Sequence, residues 1–151
     1  MSSKKKTENI KSTILTIGQY STLIYLMVFS KWISPNYYLA AIQIVGFIVA
    51  AWAIWEMNKS KINIAPTPRS GSTLIQSGPY KLVRHPMYLS LILTLTPAMI
   101  SYYKPLHLAI FIIFLINLVF KMFFEEGLLK EYFPDYKDYM KKSWRLFPYI
   151  F

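Results

Sequence analysis

The chain alternates long runs without a formal charge with polar pieces of very unequal length. Ser12 to Ser30 contains no Asp, Glu, Lys or Arg, and neither does Tyr37 to Trp55. Pro86 to Tyr103 is a third such run, and Pro105 to Phe120 a fourth and shorter one that Lys121 ends. A helix rises about 1.5 Å per residue and must cross roughly 30 Å of hydrocarbon, so about 20 residues make one crossing. The first three runs reach that range. The fourth reaches it if its helix continues past Lys121, whose aliphatic stem can carry the ammonium toward the interface. The pattern predicts an all-α polytopic membrane protein with about four transmembrane helices, over 12–30, 37–55, 86–103 and 105–124. The basic start of the first run resembles a signal peptide. Its apolar part is longer than the usual ~7–15 residues, and no small-x-small site follows it, so it reads as a membrane helix.

Two connections are short: Lys31 to Asn36, with its Pro35-Asn36 turn, and Tyr102 to Lys104. The others are long, a 56–85 polar loop and a 125–151 polar, aromatic segment. Of 17 Lys and Arg residues, only Lys31 and Lys104 fall on the short-link side. That asymmetry predicts that the long loop, the C-terminal segment and both termini face the cytoplasm, which requires an even number of crossings. At 151 residues there is room for a single domain. Hydrophobic residues make up 54% and charged residues 16%, against roughly 25% charged in a soluble domain. A water-soluble globule and a disordered chain are thereby excluded. The net charge of +10 reads, in so apolar a chain, as contact with an anionic membrane surface rather than with nucleic acid. The absence of cysteine excludes a disulfide framework, a thiol nucleophile and a thiolate metal site. No glycine-rich phosphate-binding motif and no assembled Ser-His-Asp set is present.

Candidate chemistry gathers on the long-loop side. Pro66, Pro68, Gly71 and Gly78-Pro79 enforce turns in the 56–85 loop, and a loop of this length in a small protein is more often functional than idle. Arg84-His85-Pro86-Met87-Tyr88 is the sharpest feature. Pro86 suits the first turn of a helix and biases His85 toward an extended conformation, so His85 belongs at a helix mouth with Tyr88 one turn inside. The competing reading makes these residues interfacial snorkellers and an aromatic belt. Further along, Lys121 and Glu125 are i, i+4 on one helical face, and Glu126 adds a second carboxylate where a membrane helix leaves hydrocarbon. The alternative is a solvated helical extension. Two adjacent Glu point about 100° apart on a helix and make poor joint metal ligands, so no metal is expected. His107 reads as an interface residue, Glu56 as either a snorkeller or a pocket wall, and the closing Trp144–Phe151 run as an interfacial anchor that could fold back over a site.

Three blocks in order resemble the isoprenylcysteine carboxyl methyltransferase and phospholipid methyltransferase superfamily of integral membrane enzymes. They are Thr73-Leu74-Ile75-Gln76-Ser77-Gly78-Pro79-Tyr80, then Arg84-His85-Pro86-Met87-Tyr88, then Glu125-Glu126 with Leu129, Phe133-Pro134, Tyr136, Tyr139 and Arg145-Leu146-Phe147-Pro148. The resemblance covers somewhat more than the C-terminal half of the chain; the first two helices match only in character. It implies a transferase that uses S-adenosyl-L-methionine in a cytoplasmic cofactor pocket without a Rossmann fold. By motif match, Thr73, Leu74, Ile75 and Tyr80 would line the loop wall, and His85, Pro86, Met87 and Tyr88 the third-helix wall. Glu125 and Glu126 would come from the fourth helix, with Lys121 and Glu125 as the catalytic pair. Lys121 stands where relatives with prenylcysteine substrates carry an arginine, which removes a bidentate carboxylate clamp. Ser90 replaces a glycine usual two residues after the motif tyrosine.

The implied partner is a lipid-like or hydrophobic methyl acceptor reached from the bilayer, with no nucleic acid, metal or obligate protein partner. Such chemistry asks the protein mainly to align donor and acceptor and to exclude water. A carboxylate acceptor needs no general base. An amine or thiol does, with His85 or a glutamate as candidates. The alternative class is a non-enzymatic four-helix membrane protein that binds partners or anionic lipid through its basic face. A solute transporter is disfavoured, because Gln19, Gln43 and Asn117 are few and lack ionisable company.

Overall fold

A computed structural model describes residues 3–59 and 73–151. The expectations placed on residues 60–72 (Lys61, Pro66, Pro68, Arg69 and Gly71) lie outside the described residues. The chain is all-α: α1 (Ser3–Phe29), α2 (Tyr37–Lys59), α3 (Pro86–Ser101), α4 (Pro105–Tyr132) and a short α5 (Tyr136–Lys142). A single 3-10 turn at Gly78–Lys81 precedes α3. Among the described residues three helices are long and apolar enough to cross a membrane, and α3 is a shorter apolar helix. A straight α3 rises only about 24 Å. Three helices outrun the uncharged runs, α2 among them, which continues past Trp55 to Lys59. The helix α1 begins at Ser3, well before the uncharged run that opens at Ser12, and α4 runs straight through Glu125 to Tyr132. The first residues of the expected C-terminal segment, 125–132, are therefore the last two turns of α4.

Local chemistry sets the helix starts. The Asn36 Oδ1 accepts from the amides of Tyr38 and Leu39 at 3.0 and 3.2 Å, capping α2. Pro86 and Pro105 occupy the first turns of α3 and α4, where a missing N–H is harmless. After α4, Phe133 is extended and Pro134 follows it.

The helices associate mainly in two pairs, α2 with α3 and α1 with α4, while α3 and α4 meet more sparingly. Gly46 lets α2 approach α3: a Cβ there would lie 2.6 Å from the Thr94 hydroxyl and 3.1 Å from the Ser90 carbonyl. Beside it, buried Gln43 accepts from the Ser34 amide and donates to the Trp32 and Thr94 carbonyls at 2.6 and 2.9 Å. Polar groups at membrane depth are tolerated when satisfied in this way. On the other seam, Gly18 faces Asn117. Between the pairs lies a core of Leu26, Ala98, Met99, Phe111, Phe114, Leu118 and Met122. The outward faces carry exposed Ile14, Ile17, Ile48, Ile113, Ile116 and Phe120, as a lipid-facing surface requires. His107, in the first turn of α4, is buried against its neighbours, edge-on to the Tyr25 ring at 5.9 Å.

Candidate functional site

The end of the bundle where α3 begins and α4 continues is built by three pieces of chain. The segment before α3 and the C-terminal segment run side by side, with one parallel bridge between Val83 and Trp144. The Arg84 amide donates to the Trp144 carbonyl at 2.7 Å and the His85 amide to the Arg145 carbonyl at 3.1 Å. The last turns of α4 supply the third piece.

Glu126 ties the three together. Its Oε1 accepts from Arg84 Nε at 2.8 Å, its Oε2 from Arg145 Nε at 3.1 Å, and the residue is 1% exposed. Arg84 also donates through Nη1 to the Ser143 carbonyl and, at 3.2 Å, to the Met140 carbonyl. The Arg145 guanidinium lies over the Phe123 ring at 4.5 Å and the Phe151 ring at 5.1 Å. A carboxylate expected either in solvent or at a cofactor is thus surrounded by the protein's own cations. The sequence marked Arg84 and Arg145 as motif members without this role. Their convergence was hidden because Arg84 lies 42 residues before Glu126 and Arg145 lies 19 after it, so that only the tertiary fold brings both to one carboxylate.

Glu125 points another way. Its Oε2 accepts from the Tyr88 hydroxyl at 2.6 Å and lies 4.0 Å from His85 Nδ1. Its Oε1 lies 3.9 Å from the Lys121 ammonium and, among the described residues, accepts no hydrogen bond. The His85 and Tyr88 rings are parallel and stacked, with 5.3 Å between centroids. His85 is buried, with Nε2 3.6 Å from Glu126 Oε1, beyond hydrogen-bond length, and that nitrogen has no partner among the described residues. Lys121 does not snorkel as expected. It is buried, donates to Gln19 Oε1 of α1 at 2.6 Å, and sits 5.9 Å from the Tyr88 ring centroid. Gln19, passed over in the sequence as an isolated polar residue, was the missed partner; a lysine at membrane depth is the signal that one was needed.

The loop wall is less uniform. Ser77 Oγ donates to Glu56 Oε2 at 2.6 Å, and Lys59 to Glu56 Oε1 at 2.9 Å. Glu56 is thereby a docking point for the loop on α2. Gly78 has φ +56, and a Cβ there would lie 2.5 Å from Glu56 Cγ, so glycine is required both by conformation and by space. Tyr80 follows, with its carbonyl accepting from the Tyr139 hydroxyl at 2.6 Å. Burial above all pushes the Tyr80 phenol up, with a smaller contribution from ionisable neighbours that include Glu125. Burial likewise raises Tyr136, whose hydroxyl is unpartnered among the described residues, and pushes Tyr139 up to about 12. Pro86 is buried in the first turn of α3, and half-buried Met87 offers its carbonyl to Ser90 Oγ at 2.7 Å. Thr73 is exposed, Leu74 half-buried and Ile75 buried; no hydrogen bond joins them to Glu125, His85 or Tyr88. Among the described residues no cluster of three or more His, Asp or Glu has metal-binding geometry.

The family model described as phospholipid methyltransferase matches residues 35–136, about two thirds of the chain, from α2 through the start of α5. No curated protein matches the chain significantly.

Proposed function

We propose that this chain, which belongs to the phospholipid methyltransferase family, transfers a methyl group from S-adenosyl-L-methionine to a lipid-like or hydrophobic acceptor at the cytoplasmic face of a membrane. The observation that carries the reading is the meeting of the α3 mouth with the last turns of α4, where Tyr88, His85, Glu125 and Lys121 face one another. When bound, the cofactor supplies an activated methyl group on a positively charged sulfur. The donor set fits such a group. The Oε1 of Glu125 is a carboxylate oxygen without a hydrogen bond among the described residues, and Tyr88 and His85 offer aromatic surface to an adenine ring or a sulfonium.

In this reading Glu125, His85, Pro86, Met87 and Tyr88 hold the donor, with Tyr80 and the Thr73–Ile75 stretch on the loop side. Glu126 serves them indirectly by fixing Arg84 and Arg145, and with them the C-terminal cover. Lys121 lies on the acceptor side. A single ammonium matches one anionic oxygen and cannot replace a bidentate guanidinium clamp. For an acceptor that must lose a proton, the candidate base is His85, whose Nδ1 lies on the Glu125 side, 4.0 Å from Glu125 Oε2. The long-loop side faces the cytoplasm because the basic residues sort to it.

The test is transfer of label from methyl-labelled S-adenosyl-L-methionine into membranes that contain the protein. Label in the extracted lipid or other hydrophobic fraction, lost in Glu125→Gln, is the expected result. A folded protein that transfers no label and binds no cofactor at millimolar concentration would instead be a non-enzymatic membrane protein acting through its basic face.

A further inference from the structure

The Lys121 ammonium has two possible partners. Glu125 sits one turn away on the same helix, the i, i+4 spacing at which lysine and glutamate pair directly. Yet the ammonium lies 3.9 Å from Glu125 Oε1 and 2.6 Å from the neutral Gln19 Oε1 of α1. Both Lys121 and Gln19 are 6% exposed, so neither is held there by solvent. Gln19 also lies outside the stretch that matches the family model.

We infer that Gln19 is a positioning residue that draws the Lys121 ammonium off Glu125, leaving Glu125 Oε1 open to the cationic methyl donor. At 3.9 Å the two charges still form an ion pair, but a hydrogen-bonded Lys121–Glu125 contact would also occupy the carboxylate oxygen aimed into the site and bring the ammonium closer to a sulfonium. The neutral amide oxygen satisfies one ammonium donor without adding charge. The inference rests on the proposed use of S-adenosyl-L-methionine and extends the site to α1.

The test is equilibrium binding by the full chain in lipid nanodiscs, comparing S-adenosyl-L-methionine with S-adenosyl-L-homocysteine, which shares the nucleoside but has an uncharged sulfur. In Gln19→Leu the dissociation constant for S-adenosyl-L-methionine should rise about tenfold, equal to about 1.4 kcal/mol, with a change of less than about threefold (under about 0.7 kcal/mol) for the uncharged product. Adding Lys121→Met to Gln19→Leu should recover most of the lost affinity, because the competing charge is gone. Gln19→Glu, which keeps the acceptor oxygen, tests the same contact with thermal unfolding as a check on folding, and should bind the donor at least as well as wild type. Equal loss for both ligands without recovery in the double variant would mean that Gln19 only packs α1 against α4, and would overturn the inference, as would unchanged binding in Gln19→Leu. Wild-type protein that binds neither ligand would fail the proposed function itself, a result distinguishable from either of these.

Discussion

Glu125 and Glu126 are adjacent in sequence, yet they belong to two regions built on opposite principles. Around Glu126 every oxygen is claimed: two arginines from different segments close on one buried carboxylate, and Arg84 binds further carbonyls. Around Glu125 the engagement is partial. One oxygen holds Tyr88, the other is open among the described residues, and the nearby cation is turned toward another helix. A fully paired buried charge fixes conformation and has nothing left for a ligand. A half-paired one beside stacked rings keeps an oxygen free for the proposed donor. The helical rotation of about 100° per residue separates the two tasks.

The contrast is sharpest where one member is removed. Glu126→Ala leaves Arg84 buried without its countercharge and should lower stability by about 3–5 kcal/mol, read as a large drop in thermal unfolding temperature in detergent. It should also free the C-terminal segment, so that limited proteolysis cuts near Trp144. Glu125→Gln keeps shape and can still accept from Tyr88, so stability should change by less than about 1 kcal/mol. Methyl transfer should nevertheless fall by about a hundredfold, or about 2.7 kcal/mol in the transition state. The comparison breaks if the two variants exchange phenotypes.

Smaller effects probe the edges of the two regions. Gly78→Ala meets both a positive φ and the Glu56 side chain, and should cost about 1–3 kcal/mol and loosen the loop, measured by faster hydrogen exchange at residues 77–82. Tyr139 gives the smallest signal. Burial raises its folded-state value to about 12 from an ordinary value near 10. The folded state therefore holds the proton more tightly than the unfolded one. The associated stability is complete below about pH 10 and declines as pH rises toward 12. Tyr139→Phe should flatten that alkaline decline and cost about 1 kcal/mol at neutral pH for the lost bond to the Tyr80 carbonyl.

Much of the architecture was legible because hydrocarbon is an unforgiving solvent. Long uncharged runs marked the helices, and the first-turn prolines marked where α3 and α4 begin. Helix ends were less legible. Glu125 and Glu126 looked like an exit from the membrane, but their partners Arg84, Arg145 and Tyr88 let α4 carry them inside the fold. The motif residues His85, Tyr88 and Glu125 were brought together, whereas Thr73 is exposed, with no hydrogen bond to them. Lys121 seemed free to reach the interface for the same reason that Gln19 seemed idle. Neither residue reveals a partner 102 positions away, and only the packing of α1 on α4 pairs them.

The central claim is that Glu125, and not its neighbour, faces the methyl donor. Titration of S-adenosyl-L-methionine into folded wild-type, Glu125→Gln and Glu125→Ala protein in nanodiscs tests it most directly. Saturable wild-type binding, weakened about tenfold or more in both variants with unfolding temperatures preserved, is the predicted result. Equal affinity in all three proteins, or no saturable binding in the wild type, would contradict it.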